Sequence, residues 1–264
     1  MRIFLDIGAH IGETLEEVSK QKYSFDRIVC FEPSQTCLES LQNFAKKDPR
    51  IEVLQIGLSN TTGIEKLYNA GELNGSIFIE GDSLNESSES IKLIDAGTWY
   101  SENISKDDFV VIKTNCEGSE VKIVDSFLKA GTFEHFYSLL ITFDIRDYPS
   151  LAHQEIEIRK RLKATNFTNF CFSDDVMIGP THENRIENWL TLFGVDMPDK
   201  SASDLKQEFS KNFNKFSSKS GKLIRLEISI KKLFNYQHSP DFLKNFLRSI
   251  KRLLKLNRER SLDP

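Results

Sequence analysis

Short apolar runs alternate with amphipathic helical stretches through the first two thirds of the chain, and this alternation limits the fold more than any other feature. Residues 2–7 (R-I-F-L-D-I), 27–31 (R-I-V-C-F), 51–56, 108–115 (D-F-V-V-I-K-T-N) and 137–143 (Y-S-L-L-I-T-F) read as strands buried on both faces. Between them, residues 13–22 are rich in helix formers with Leu15 and Val18 on one face. Ser34 is placed to cap a helix whose stripe is Cys37, Leu38, Leu41, Phe44 and Ala45. Helices are also expected over 119–129, stopped by Gly131, and over 154–163, with one more strand at 167–172. Strands alternating with helices of this size imply βαβ units, hence an α/β fold with a doubly wound, mostly parallel sheet. Residues 57–80, punctuated by Gly57, Gly63, Gly71 and Gly75, read as a hairpin or loop excursion, and 82–89 as an exposed polar stretch.

Charge divides the chain. The net charge is −4, but residues 200–264 carry +10 and the preceding 199 residues −14. An acidic body with a basic tail suggests two jobs, or a tail that docks on its own body. The strand–helix pattern runs to residue 185, and 186–264 reads as a basic, mainly helical extension. Within it, residues 240–256 form an amphipathic helix with Phe242, Phe246 and Leu253 on one face and Lys244, Arg248 and Lys251 on the other. Packing on the body or on a second copy ranks first for this helix, and an anionic membrane surface second. Nucleic acid is not expected, because the phenylalanines belong to the apolar stripe. At 39% hydrophobic residues the chain can bury a sizeable core. Its four cysteines form no C-x-x-C pair, and His135, His153 and His182 have no ligand spacing, so neither disulfides nor a metal is expected. With no membrane-spanning run and no secretory leader, the expected location is cytoplasmic, peripheral at the inner membrane face if the tail binds lipid.

The chemistry concentrates at strand ends. Asp6-Ile7-Gly8-Ala9-His10-Ile11-Gly12-Glu13-Thr14 spells D-x-G-x-x-x-G at a strand-to-helix junction, where glycines allow a sharp turn and close approach of a ligand. It is not the dinucleotide fingerprint, since His10 stands where a second glycine would be. The second strand ends in Glu32, the position from which an acid holds ribose hydroxyls in nucleotide-binding sheets. On an extended 113–117 segment, Lys113, Asn115 and Glu117 share one face. Three polar side chains there are costly unless they meet a ligand, or unless Lys113 and Glu117 pair.

With these segments D-I-G-A-H-I-G-E, C-F-E-P-S, I-G-L-S-N-T-T-G and V-I-K-T-N-C-E-G-S-E, the chain resembles the FkbM family of S-adenosylmethionine-dependent methyltransferases over about residues 2–145. The resemblance implies a class I methyltransferase fold and methyl transfer to a hydroxyl of a saccharide, glycolipid or related natural product. It implies that Gly8, His10 and Gly12 border the methionine part of S-adenosylmethionine with Asp6 also among the cofactor-binding residues, that Glu32 holds the ribose, that Leu58 and Ser59 lie against the adenine, and that Asn115 faces the sulfonium. Where many members carry Glu-x-His this chain has Asp144-Ile145-Arg146, which removes a histidine base there. Such a transfer needs an aligned hydroxyl, worth about 7–11 kcal/mol of barrier, and a base, worth about 10²–10⁴-fold. Glu117 is the first base candidate, His10 and Asp144 the others, with Lys113 holding Glu117 or lowering the acceptor's pKa. The competing classes are a nicotinamide oxidoreductase and a non-catalytic cofactor-binding or interaction module.

Overall fold

The computed structural model describes residues 1–78, 88–145, 148–165 and 170–198. The basic tail and its expected helix at 240–256 lie outside the described residues.

Six parallel strands form the main sheet: β1 (Arg2–Ile7), β2 (Arg27–Phe31), β3 (Ile51–Leu54), β7 (Phe109–Thr114), β8 (Phe136–Ile141) and β9 (Phe170–Phe172). Their order is β3-β2-β1-β7-β8-β9, every pairing parallel, so the chain reverses its direction of travel between β1 and β7. This is the doubly wound α/β arrangement, and an open sheet of this kind binds ligands beyond the strands' carboxyl ends at that reversal. Side-chain alternation sends each strand's residues to two faces. Ile3, Leu5 and Ile7 join one core with α3 (Ala96–Asn103), α4 (Glu120–Ala130) and α5 (His153–Lys163), through Tyr100, Phe127 and Ile158. Phe4 faces the other way, toward Phe25 at 5.4 Å and Trp189 at 6.2 Å between ring centroids.

Three elements differ from the sequence reading. First, the α-helix expected over 13–22 is only α1 (Leu15–Val18), followed by a single tight turn that ends at Ser24 in the left-handed region. The buried carboxylate of Glu17 is drawn inward by Tyr23, Lys20 and Lys22, which favours the tight turn over continued helix. α2 (Leu38–Lys47) lies where a helix was expected. Second, a small separate sheet is built from β4 (Gly57–Ser59), β5 (Gly63–Tyr68) and β6 (Ser88–Asp95), in the order β4-β6-β5, while most of the polar stretch expected at 82–89 lies outside the described residues. β6 was readable, since Ile91 and Leu93 alternate with polar residues and both are buried. α3 then starts at Asp95, whose carboxylate accepts from Thr98 N–H as an N-cap. Third, residue 185 falls inside α7 (His182–Leu192).

α7, with the short α6 (Ser173–Val176) before it, belongs to the body. Trp189 is fully buried, Arg2 Nη2 donates to Val195 O at 2.7 Å, and Tyr137 Oη donates to Phe193 O. Trp99 and Trp189 are both buried packing residues. Among the described residues no helix is long and apolar enough to cross a membrane. Replacing Trp189 by Ala should therefore lower stability by about 3–5 kcal/mol, read from the urea midpoint of the full chain.

Candidate functional site

A crevice of about 270 Å³ opens at the carboxyl ends of β1, β2 and β7, where the strand order reverses. Its floor is the turn after β1. Gly8 sits at φ +82°, and a Cβ there would lie 1.9 Å from Asn115 O, so no other residue fits between the ends of β1 and β7. Gly12 is off the crevice wall; its φ of +95° favours glycine, and a Cβ there would also press on the Phe44 ring of α2 and on Leu15.

Glu32, at the end of β2, lies on the wall. One carboxylate oxygen accepts from His10 N–H at 2.8 Å and the other from Ser34 N–H at 2.9 Å. Burial pushes this carboxyl up, the two N–H donors and the His10 ring pull it down, and burial wins. His10 itself is on the wall at φ +47°, a costly backbone for a residue with a side chain. Its Nδ1 is 3.2 Å from Glu13 Oε1 and its Nε2 3.3 Å from Gly71 O, so the ring ties the β1–α1 turn to the loop after β5.

Lys113 reaches the crevice but does not meet Glu117. Its Nζ donates to Asp6 Oδ1 at 2.7 Å, a pair buried between β1 and β7, and also approaches Gly8 O at 3.4 Å. Burial alone would lower the lysine, but the charge of Asp6 outweighs it and holds the ammonium above its ordinary range. Asp6 thus lies off the wall, as the anchor of Lys113. The period-two reading failed beyond residue 114 because β7 ends at Thr114. Glu117 stands instead in a turn, at φ +47°, with its carbonyl accepting from Ser76 Oγ at 2.6 Å, and it remains on the wall. Asn115 is also on the wall, and among the described residues its buried Oδ1 has no hydrogen-bond partner. Leu58 lines the crevice; Ser59, next on the strand, does not. Asp144 is off the wall as well and acts electrostatically on Glu120.

Glu120 escaped the sequence reading. Fully buried at the start of α4, its carboxylate accepts from Cys116 N–H at 2.7 Å and Gly118 N–H at 3.1 Å, which shapes the 115–119 turn. Burial, with the nearby charge of Asp144, raises it to about 8. The Cys116 thiol is likewise pushed up by burial and donates to Ile7 O. Three further wall groups were not singled out from the sequence as site residues. Leu67, Ile91 and Leu93 give an apolar side from the small sheet, residues 71–77 border it, and His182 arrives from α7 to meet Thr14 at 3.2 Å. Among the described residues no three His, Cys, Asp or Glu side chains are grouped to hold a metal.

The sheet order, with the crevice at its reversal, defines a Rossmann-like α/β protein. No family model matches the chain, and no curated protein matches it. Among solved structures it is similar to the crystal structure of methyltransferase FkbM from Methylobacillus flagellatus KT, at 23% identity and a TM-score of 0.35. That match covers 51% of this chain and 30% of the other, so the chain spans less than a third of that structure's length. The fold assignment rests on the strand order and not on this likeness.

Glu120 makes stability depend on pH with a definite sign. Its folded-state value lies above the ordinary carboxyl value, so between about pH 4.5 and about pH 8 the folded chain holds a proton that the unfolded chain has lost, and stability falls as pH rises through this window. Glu120→Gln keeps an oxygen acceptor and removes the titration. Its thermal midpoint should fall less than that of the wild type across the same window, as calorimetry would record.

Proposed function

We propose that the crevice binds S-adenosylmethionine and that the protein transfers its methyl group to a hydroxyl of a saccharide or lipid-linked saccharide. The observation that carries the reading is the conjunction of the tight Gly8 turn, the Glu32 carboxylate at the end of β2 and the buried, unpartnered Oδ1 of Asn115 at the end of β7. The residues fit such a group. Each Glu32 oxygen makes one hydrogen bond to backbone and keeps acceptor capacity for a ribose hydroxyl. Leu58, Ile91 and Leu93 offer an apolar face to a purine. Asn115 Oδ1 is an acceptor awaiting a donor or a cation at the methionine end. When bound, S-adenosylmethionine supplies an electrophilic methyl on a sulfonium.

The chain's own part is to orient the acceptor, exclude water and take a proton. Glu117, the first base candidate, lies on the wall, and so does the His182 imidazole, which the fold adds. The nicotinamide reading loses ground because His10, at positive φ, carries a side chain where the dinucleotide turn needs bare backbone. The saccharide acceptor rests on the family resemblance. Mass spectrometry of cell-surface glycans, with and without the protein, should reveal the methyl group lost.

Calorimetric titration tests the binding step. The full chain should bind S-adenosylhomocysteine and not NAD, and Glu32→Gln should weaken that binding by about tenfold or more, as expected for loss of charge-assisted hydrogen bonds. Binding of NAD in place of the thioether nucleoside would end this reading.

A further inference from the structure

His182 is a wall residue that no motif accounts for. It is the first residue of α7, brought to the β1–α1 turn from 168 positions away in sequence. Its Nε2 lies 3.2 Å from Thr14 Oγ1, and among the described residues its Nδ1 has no partner. Four other wall groups are committed. His10 has an acceptor against each ring nitrogen. The oxygens of Glu32 hold two backbone N–H groups. Lys113 is a cation held by Asp6, and the Cys116 thiol donates to Ile7 O.

We propose that His182 takes the proton of the incoming hydroxyl, its Nε2–H donated to Thr14 Oγ1 and its Nδ1 lone pair turned to the acceptor; this rests on the methyl-transfer reading above. The hydroxyl oxygen bonds to the methyl carbon as the carbon–sulfur electron pair returns to sulfur. The hydroxyl proton passes to Nδ1, and the imidazolium releases it to solvent. A base oriented by a hydroxyl partner and otherwise free is the arrangement that general-base chemistry requires. The charged groups facing the ring are Lys113 from β7, Asp6 from β1, Glu13 from the β1–α1 turn and Arg185 from α7 itself. Burial and the two cations favour the neutral ring, the two carboxylates oppose them, and the balance holds the imidazole below its ordinary value, in the form a base needs.

S-adenosylmethionine and S-adenosylhomocysteine differ by one methyl and one positive charge at sulfur, which permits a test without a known acceptor. A protonated His182 beside that sulfur repels the sulfonium but not the thioether. Calorimetric titration of the full chain with each nucleoside, on either side of the imidazole range at about pH 8 and about pH 5.5, gives the affinity ratio. On acidification the ratio of sulfonium to thioether affinity should fall about threefold or more in the wild type. His182→Gln should remove that fall, and Glu117→Gln should keep it. A ratio unmoved by pH, a fall that survives His182→Gln, or one that vanishes in Glu117→Gln overturns the assignment. NMR titration of the His182 ring in the wild-type chain reads the same coupling without a substitution. The ring should titrate lower with the sulfonium bound than with the thioether, and equal values overturn the assignment. If neither nucleoside binds, the methyl-transfer reading itself fails, a result distinct from any change in the ratio.

Discussion

The buried pair between Asp6 on β1 and Lys113 on β7 is the interaction on which the crevice depends. The two residues are direct register partners in the parallel ladder, one step before the strands end. Such a pair adds little net stability, because desolvating both charges costs about as much as their attraction returns. Its effect is specificity. A slip of register would leave a charge buried alone, at a cost of about 3–5 kcal/mol. With β1 and β7 held in step, Gly8 meets Asn115 O at a distance that excludes any side chain, and the two loops leaving the sheet must part in opposite directions. The crevice is the space between them.

Those two loops are built by one device used twice. The turn after β1 is held by Glu32, which accepts the N–H of His10 and of Ser34. The turn after β7 is held by Glu120, which accepts the N–H of Cys116 and of Gly118. Both carboxyls are raised by burial, which removes them from water, and both satisfy backbone donors that the strand ends would otherwise leave unpaired. Each turn also carries one non-glycine residue in the left-handed region, His10 in the first and Glu117 in the second. Strained backbone of this kind persists where the surroundings determine it, and here it places two polar residues on the wall of a shared cavity. The small sheet then closes one side: Ser76 donates to Glu117 O and Gly71 O meets the His10 ring, so residues 71–76 touch both turns.

Residues with a local reason were legible in the amino-acid sequence. The strands of the main sheet announced themselves as apolar runs, because a strand buried on both faces tolerates few polar groups. Gly8 and Glu32 stood out because a turn and a strand end each demand a particular residue type. Reading failed where the demand came from elsewhere in the fold. Lys113 was set beside Glu117 by period-two spacing, but the spacing holds only within a strand, and β7 stops at Thr114. Gly12 resembled a ligand-facing glycine, yet it lies off the crevice wall, at φ +95° and against the Phe44 ring of α2. Glu120 looked like an ordinary acid in a first helical turn, and only its burial makes it the support of the 115–119 turn.

The chain's order of residues by itself determined the α/β class, the parallel sheet and the place of the glycine turn after β1, because periodicity and glycine placement act over a few residues. The tertiary structure alone decided which side chains share the crevice. Lys113 pairs across the sheet with Asp6, 107 residues away. His182 meets Thr14 across 168 residues because Trp189, buried on the opposite face from Ile3 and Leu5, seats α7 against the body. Contacts of that range are set by packing and desolvation summed over the whole core, which no local pattern encodes.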